Sequence, residues 1–231
     1  MAVRIEPPAM PRFLILRLDG PMQAWGTHTY EDFRPSSSFP TRSGLLGLLG
    51  ACLGIDRNDH AALECLAASV EFAVRVDRSV LRPERDKPVD KESVKLADFH
   101  TVLAARKVDG SANKHPVVSR REYLYDAAFT VAVGERSGAT VKLESIAEAL
   151  RRPVFTPVLG RRSCPVARPL LDGNVIEADD AKGCLIRVFP QGGMIYAEGD
   201  LISDQPMQMR DVPMRGRTRQ FGTRRVYVHK E

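Results

Sequence analysis

A chain of 231 residues, of which 43% are hydrophobic, is long enough to bury a large core, which excludes a polypeptide that is disordered throughout. No apolar run reaches the roughly 18 to 20 residues of a membrane-spanning helix, and residues 1–12 contain acid and prolines where a signal peptide needs an apolar block. The formal net charge is +5, and residues 210–231, with seven basic and two acidic side chains, carry that excess. Because the sequence shows neither a membrane-spanning run nor a signal peptide, we expect a cytoplasmic protein. The arginines of this tail indicate a partner with phosphate oxygens, unless the tail is only a solvated basic edge strand or a disordered arm.

The cysteines and histidines do not follow a metal-binding pattern. The sequence has no Cys-x-x-Cys pair and no histidine at zinc-finger spacing from a cysteine. We therefore expect buried free thiols, no metal site and no other cofactor. The cysteines are Cys52, Cys65, Cys164 and Cys184.

The first half of the chain contains a buried strand followed by a glycine-rich helix. Residues 1–11 are expected to be a loose extension, and residues 13–18 are nearly all apolar, as in a central strand covered on both faces. Thr41 is the candidate cap of a helix that ends near Leu53 and has glycines at positions 44, 47 and 50. Because glycines lower helix stability, their spacing indicates close approach by a sheet or by a ligand's backbone, and close packing is the favoured use. A second helix (residues 60–68) and a strand (residues 70–76) follow.

The second half combines a charged insertion with further strands and a helix. Residues 78–121 are charged and poor in large apolar side chains, which predicts a polar projection inserted into the domain. Alternation over residues 123–133 predicts a strand, and residues 143–151 read as a short helix with arginine at its C-terminus. The order strand, helix, strand, given twice, predicts an α+β, ferredoxin-like fold, followed by a C-terminal half of short strands. These short strands are expected at residues 184–189, 208–212 and 223–228.

Three features suggest a surface for a phosphate backbone. Trp25, the only tryptophan, follows the first strand and is placed to stack on an unpaired base, although a tryptophan that plugs the rim of the core fits the sequence equally well. Arg42 and Ser43 stand at the start of the glycine-rich helix. Residues 160–163 (Gly-Arg-Arg-Ser) combine backbone amides, two guanidinium groups and a hydroxyl, which is the composition of an anion site.

The motifs of several enzyme classes are missing from this sequence. The helix that begins at Arg42 has no Gly-Lys-Ser or Gly-Lys-Thr, and neither a nucleophile elbow nor a dinucleotide fingerprint is present. One enzymatic alternative stays open, because Lys114 and His115, with Tyr123 or Tyr125, could supply the acid and base for metal-independent cleavage of RNA. A solvated Lys-His pair in a polar loop explains the same residues without catalysis.

A set of motifs is spread across the chain, at residues 16–18, 20–26, 39–54, 99–103, 121–124, 156–165 and 219–221. Together these motifs resemble the CasD family, the subunit of type I-E CRISPR Cascade complexes that holds the five-prime handle of the CRISPR RNA. The resemblance implies a repeat-associated mysterious protein (RAMP) fold, with a ferredoxin-like (RRM-like) palm formed by residues 12–77 and 122–231 and a thumb inserted at residues 78–121. It also implies a role in antiviral defence, with the Cascade backbone subunit and large subunit as partners and with His100 and Arg106 as thumb contacts.

These observations together favour a non-catalytic RNA-binding subunit that caps one end of a guide RNA assembly. Arginine contacts to phosphates would supply affinity, and stacked or splayed handle bases would supply selectivity. The alternatives are a metal-independent endoribonuclease that processes CRISPR repeat RNA, and a protein-interaction module whose basic tail meets acidic partners. The candidate RNA contacts are Gln23, Trp25, Arg42, Ser43, Arg161, Arg162, Ser163, Arg219 and Arg224.

Overall fold

The computed structural model describes residues 10–29, 31–77, 94–198, 205–214 and 220–230. None of the helices in these ranges is long and apolar enough to cross a membrane. The helices are α1 (Arg42–Leu53), α2 (His60–Ser69), α3 (Leu143–Arg151) and α4 (Ala181–Arg187). The strands are β1 (Arg12–Asp19), β2 (Met22–Gln23), β3 (Trp25–Gly26), β4 (Phe33–Arg34), β5 (Ser36–Ser37), β6 (Val70–Asp77), β7 (Val94–Val102), β8 (Val117–Tyr125), β9 (Ala128–Glu135), β10 (Ile176–Glu177), β11 (Gly193–Ala197), β12 (Gln205–Met214) and β13 (Gln220–Lys230).

Seven strands form the main sheet, in the order β10, β1, β9, β6, β11, β13, β12. Every neighbouring pair in this sheet is antiparallel. In β1, Leu14 and Leu18 are completely buried, and so are their counterparts Phe129 and Val133 on β9. The prediction of a central first strand is therefore confirmed, and the fold is a mixed α/β arrangement built largely on antiparallel strand pairs.

Helices cover both faces of the main sheet. Side chains alternate along a strand, so Leu14 and Leu16 of β1 face one layer while Phe13 and Ile15 face the other. The first layer contains the apolar side chains of α1, α2 and α3, and the second contains those of α4. As a result, α4 lies on the opposite face of the sheet from α1.

Local signals set the bounds of α1. The Thr41 side chain accepts a hydrogen bond from the backbone N–H of Gly44, which makes it the N-cap, and Gly54, with φ of 74°, ends the helix in the left-handed conformation. Gly44 packs against the Trp25 ring, which leaves no room for a side chain there. For the outward-facing Gly47, no described atom beyond the adjacent residues and the backbone of α1 itself lies within 4 Å of the position that a Cβ would occupy. Close packing, the favoured use of these glycines, thus explains Gly44 but not Gly47.

The described part of the predicted insertion is a long hairpin. Strands β7 and β8 pair antiparallel from Val94 opposite Tyr125 to Val102 opposite Val117. β8 also pairs with β2 and β4, so the hairpin belongs to a second, four-stranded sheet. The rest of the predicted thumb, residues 78–93, lies outside the described residues, as do residues 1–9 of the predicted extension.

Two predicted strands are wrong. The segment 123–133 is divided between β8 and β9, because Asp126 adopts a φ of 50° and turns the chain from one sheet to the other. The segment 184–189 lies largely in helix α4, where the Asp180 side chain accepts a hydrogen bond from the N–H of Gly183 and caps the helix start. A short apolar run does not distinguish a buried strand from a buried helix, and here the cap decides. The strands expected at residues 208–212 and 223–228 are confirmed as parts of β12 and β13.

Candidate functional site

A groove of about 790 Å³ lies where α1, the loop between α1 and α2, and the ends of β12 and β13 meet. Ser43 and Arg162, two of the predicted RNA contacts, line this groove. Gly47 presents the bare backbone of α1 to it, and Met214 of β12 and Phe221 of β13 form the opposite wall. We call this feature the α1–hairpin groove, after α1 and the antiparallel pair β12–β13, which is distinct from the β7–β8 hairpin.

The chemistry of the α1–hairpin groove is cationic and aromatic. Arg57 and Arg162 line it, both are exposed, and neither has a hydrogen-bond or ion-pair partner among the residues that the structure describes. Phe155, which is 49% exposed, and the half-buried Phe221 supply ring faces, while Asp56 is the only acidic side chain among the described lining residues. Guanidinium forks next to exposed rings and bare backbone can hold a phosphodiester chain with unpaired bases.

Arg42 and Arg224 were predicted to contact RNA, and the structure places both inside an ion-pair cluster. The guanidinium of Arg42 lies 2.5 and 2.7 Å from the two carboxylate oxygens of Glu198 and also donates to the carbonyl oxygen of Ala67 at 2.7 Å. Arg224 donates to both carboxylate oxygens of Asp211, at 2.7 and 2.8 Å, and to Glu198 at 3.1 Å. The Arg42 side chain is only 7% exposed and that of Arg224 15%, so these donors are already used within the protein.

Gln23 and Trp25, two further predicted contacts, lie in the core. Neither residue has any exposed surface. The side-chain amide of Gln23 donates to the carbonyl oxygens of Leu18 and Ala127, at 2.8 and 2.6 Å, while its oxygen accepts the indole N–H of Trp25 at 3.1 Å. In this structure Trp25 is therefore a core side chain with a satisfied polar group, and no base can reach its ring.

The predicted anion turn at residues 160–163 divides its two arginines between the interior and the groove. Arg161 points inward, where it donates to the backbone carbonyl oxygens of Glu122 and Arg34 at 2.9 and 3.0 Å and lies 4.8 Å from the centre of the Tyr123 ring. Gly160, with φ of 90°, passes so close to the backbone of Ala24 that a Cβ would clash with its carbonyl oxygen. Arg162 points outward into the groove.

The residues of the predicted nuclease alternative do not meet. Lys114 and His115 are exposed in the connection between β7 and β8. Tyr123 is 2% exposed and lies six residues along β8 from Val117, which corresponds to about 20 Å of extended strand. The chain thus separates Lys114 and His115 from Tyr123.

The Tyr123 hydroxyl instead contacts two other predicted site residues. It lies 3.3 Å from the Nε2 of His100 and accepts a hydrogen bond from the Ser163 hydroxyl at 3.5 Å. His100 Nε2 is also 2.7 Å from a carboxylate oxygen of Asp98. Arg106 is exposed in the connection between β7 and β8, and Arg219 lies outside the described residues.

All four cysteines are free thiols, but only three of them are buried. Cys65 is exposed on α2, which corrects the expectation that all four are buried. Burial raises the pKa of the Cys52 and Cys184 thiols to about 11. Within the described ranges, no group of three or more histidine, cysteine or acidic side chains is arranged to bind a metal.

Sequence reasoning missed several side chains of the α1–hairpin groove. Arg57 and His60 stand in and just after the loop that leaves the glycine-rich helix, and Phe155 follows α3. The sequence signal that could have indicated Arg57 was its place in a polar loop directly after a glycine-rich helix. Phe221 belongs to a motif that carries the family resemblance but was not singled out as a contact.

Comparisons with known proteins agree with the resemblance to the CasD family. Residues 13–227 match the family described as CRISPR-associated protein (Cas_Cas5). The chain is 46% identical over 223 residues to the CRISPR system Cascade subunit CasD of Escherichia coli (strain K12), which covers 96% of this chain and 97% of that relative.

Solved structures show the same relationship. A chain of a CRISPR RNA-guided surveillance complex has a TM-score of 0.71 and 28% identity, over 94% of this chain and 89% of that one. A structure described as a Cas protein has a TM-score of 0.59 and 28% identity, over 95% and 93% of the two chains. The chain therefore belongs to the Cas5 family of CRISPR-associated proteins, and its resemblance to the CasD family is confirmed.

Proposed function

We propose that this protein is the subunit of a type I-E CRISPR Cascade complex that binds the five-prime handle of the CRISPR RNA in the α1–hairpin groove. Its extensive identity to the relative named as the Cascade subunit CasD supports the assignment to the complex. The observation that carries the choice of surface is the convergence of Arg57, Arg162 and Phe221 on the bare backbone at Gly47. We further propose that this role belongs to a cytoplasmic antiviral assembly.

The open side of Gly47 is the sharpest argument for a ligand in this groove. A glycine inside a helix lowers its stability by about 1 kcal/mol relative to alanine. Apart from the adjacent residues and the backbone of α1 itself, no described atom lies within 4 Å of a Cβ at this position, so packing against the rest of the described chain does not require glycine there. Close approach of a ligand's backbone would give glycine a use at this position.

The expected binding energy comes from charge and stacking. Each phosphate that an arginine neutralises on a single strand lowers the slope of log K against log salt by about 0.7, so Arg57 and Arg162 together should account for about 1.4. Stacking of a base on an aromatic ring contributes roughly 1 to 3 kcal/mol, and Phe155 and Phe221 offer such rings.

The palm and thumb of the proposed RAMP fold can be assigned to parts of this structure. The order β10, β1, β9, β6, all antiparallel, with α1 between β1 and β6 and α3 after β9, supports a ferredoxin-like palm. We assign the thumb to the insertion that contains the β7–β8 hairpin. In this proposal Arg106, exposed in the connection between the two strands, and His100 on β7 contact the backbone subunit, and the large subunit is the second protein partner.

We also propose that the subunit is not catalytic. The distance along β8 between His115 and the buried Tyr123 supports this proposal. Incubating the purified protein with CRISPR repeat RNA in EDTA should leave the RNA intact. Cleavage that is lost in His115→Ala would favour the endoribonuclease instead.

Charge reversal on the two faces of the sheet tests the binding surface. Arg162→Glu should weaken binding of a fluorescent handle oligonucleotide by at least about tenfold, because it removes one charged phosphate contact and adds repulsion. Arg187→Glu is the matched control, since Arg187 is also exposed but lies on α4, across the sheet from α1. Anisotropy titrations at several salt concentrations give both the affinity and the slope. Equal affinities for wild type and Arg162→Glu would overturn the proposed surface and favour the protein-interaction module.

A further inference from the structure

Asp211 joins the two walls of the α1–hairpin groove through a buried carboxylate. The residue is 3% exposed and lies on β12 at a bulge, where the pairing with β13 shifts between Met209 and Val212. A bulge re-aims a side chain relative to the regular alternation of the strand. Here the Asp211 carboxylate accepts hydrogen bonds from two elements at once, the N-terminus of α1 and the neighbouring strand β13.

The contact with α1 engages a backbone group that the helix itself leaves unpaired. The N–H of Arg42, the first residue of α1, donates to Asp211 at 2.7 Å. The first amides of a helix have no partner within it, and the helix dipole favours a negative charge at this end. A residue 169 positions away in the sequence therefore fixes the hairpin to the start of the helix.

Ion pairs of Arg42 and Arg224 next to the Asp211 carboxylate hold α1, β12 and β13 together. Arg224 of β13 donates to both oxygens of Asp211, which fixes the two strands of the hairpin to each other. Glu198 accepts hydrogen bonds from Arg42 and from Arg224, so the same helix and strand are connected a second time. Bidentate arginine–carboxylate pairs are geometrically specific, and here they are nearly excluded from water.

Both walls of the groove begin within three residues of these ion pairs. Ser43 follows Arg42 on α1 and lines the groove. On the hairpin, Met214 lies three residues after Asp211 and Phe221 three residues before Arg224, and both form the opposite wall. The separation between the helix wall and the hairpin wall is therefore set at Asp211.

We propose that Asp211 is a positioning residue for RNA: it holds the hairpin wall against α1 and thereby sets the affinity of the groove without contacting the RNA. This inference depends on the proposed function. Asp211→Asn keeps the size of the side chain and one acceptor for the Arg42 N–H, but its amide nitrogen cannot accept from Arg224. Arg224 then loses one of its two acceptors on Asp211, so β13, which carries Phe221, should lose its fixed position relative to β12 and α1 while the chain stays folded.

A double-mutant cycle on handle RNA tests the mechanism. Asp211→Asn and Phe221→Ala should each weaken binding by about five- to tenfold, and the double variant should lose less than twofold more than Asp211→Asn alone, since the displaced wall no longer presents the ring. Arg57→Ala, on the helix side of the groove, should keep its full effect in the Asp211→Asn background. A loss of stability alone would leave the Phe221 effect undiminished.

Asp172→Asn serves as the matched control. It also takes a carboxylate oxygen away from an arginine, because Asp172 pairs with Arg17 at 2.6 Å, but it does not line the groove. Its RNA affinity should equal that of wild type. All titrations are made at a temperature where thermal melting shows each variant to be folded, and Arg224→Lys, which keeps the charge but loses the fork, replaces Asp211→Asn if the latter does not fold.

Two results separate this inference from the proposed function. If Arg162→Glu weakens binding while Asp211→Asn binds like wild type, or if the Asp211 and Phe221 effects multiply fully, the positioning role is wrong and the surface stands. If Arg162→Glu has no effect, the proposed surface itself is wrong, and the positioning role is lost with it.

Discussion

The glycines of α1 allow the packing around the helix to be measured one position at a time. An alanine at any interior position of a helix is favoured over glycine by up to about 1 kcal/mol. At Gly47 no packing contact opposes this gain, because no described atom other than those of the adjacent residues and the backbone of α1 itself lies within 4 Å of the new methyl group. At Gly44 the methyl carbon would lie 2.7 Å from Cε3 and 3.0 Å from Cζ3 of Trp25, whose ring is completely buried.

The two substitutions should therefore change stability in opposite directions. Overpacking a core typically costs about 1 to 3 kcal/mol, so Gly44→Ala should destabilise the chain by a net value of about 1 kcal/mol. Gly47→Ala should stabilise it by about 0.5 to 1 kcal/mol. One kcal/mol shifts Tm by about 2 to 4 °C in a domain of this size, which thermal melting resolves easily.

Gly50→Ala calibrates the comparison on the same helix. Its methyl carbon would lie 3.2 Å from the Cδ2 of Leu63, the end of a flexible side chain that can shift by a few tenths of an ångström. Its Tm should fall between those of the other two variants. Equal Tm values for Gly44→Ala and Gly47→Ala would refute the reasoning, because they would show that the Trp25 ring does not pack on α1.

Of these glycine variants, Gly47→Ala should also change the affinity for RNA. A methyl group at Gly47 narrows the α1–hairpin groove, so Gly47→Ala should bind handle RNA more weakly than wild type despite its higher Tm. A Gly47→Ala variant with both a higher Tm and an unchanged affinity would remove the argument that this glycine is kept for a ligand.

Two further predictions concern the core and the pH dependence of stability. Trp25 is the only tryptophan, so its fluorescence reports on this site alone; saturating handle RNA should leave the emission unquenched, whereas stacking on a base would quench it. On the paired strands β6 and β9, burial raises the pKa of Glu71, while a hydrogen bond from Lys142 lowers the pKa of Glu135. Protonated Glu71 therefore contributes stability that is lost as the pH rises through the folded pKa of Glu71. Ionised Glu135 contributes stability that is lost as the pH falls through the folded pKa of Glu135. In thermal melts, Glu71→Gln should raise Tm more at pH 8 than at pH 4. Glu135→Gln should lower Tm at pH 7 and have less effect near pH 3. A change of Tm in the same direction for both variants at neutral pH would contradict this assignment.

The elements that the sequence predicts well are those whose signals are local. The bounds of α1 follow from Thr41, which caps its first turn, and from Gly54, which adopts the left-handed conformation at its end. The central strand β1 is an uninterrupted apolar run. Helix α4 was missed because its cap, Asp180, precedes an apolar segment short enough to be a strand.

The candidate site was harder to predict because a sequence shows charges but not their partners. Arg42 and Arg224 look like phosphate ligands until the fold brings Glu198 and Asp211 to them, 156 and 13 residues away respectively. Trp25 looks like a stacking platform until Gln23 accepts its indole N–H inside the core. In each case a contact made only after folding removes the donor or the ring from the surface.

The position of an arginine in the fold decides whether its guanidinium is paired within the protein or stays available to a ligand. An arginine on a helix or strand that faces the sheet must be paired, because an unpaired buried charge is very unfavourable, and Arg42 and Arg224 are paired in this way. Arg57 and Arg162 stand in loops, where the chain runs over the surface and side chains stay available for ligands. The net charge of the C-terminal segment is therefore a poor guide to RNA affinity, since part of that charge holds the hairpin in place. The cations that bind should be those whose guanidinium groups have no carboxylate within the fold.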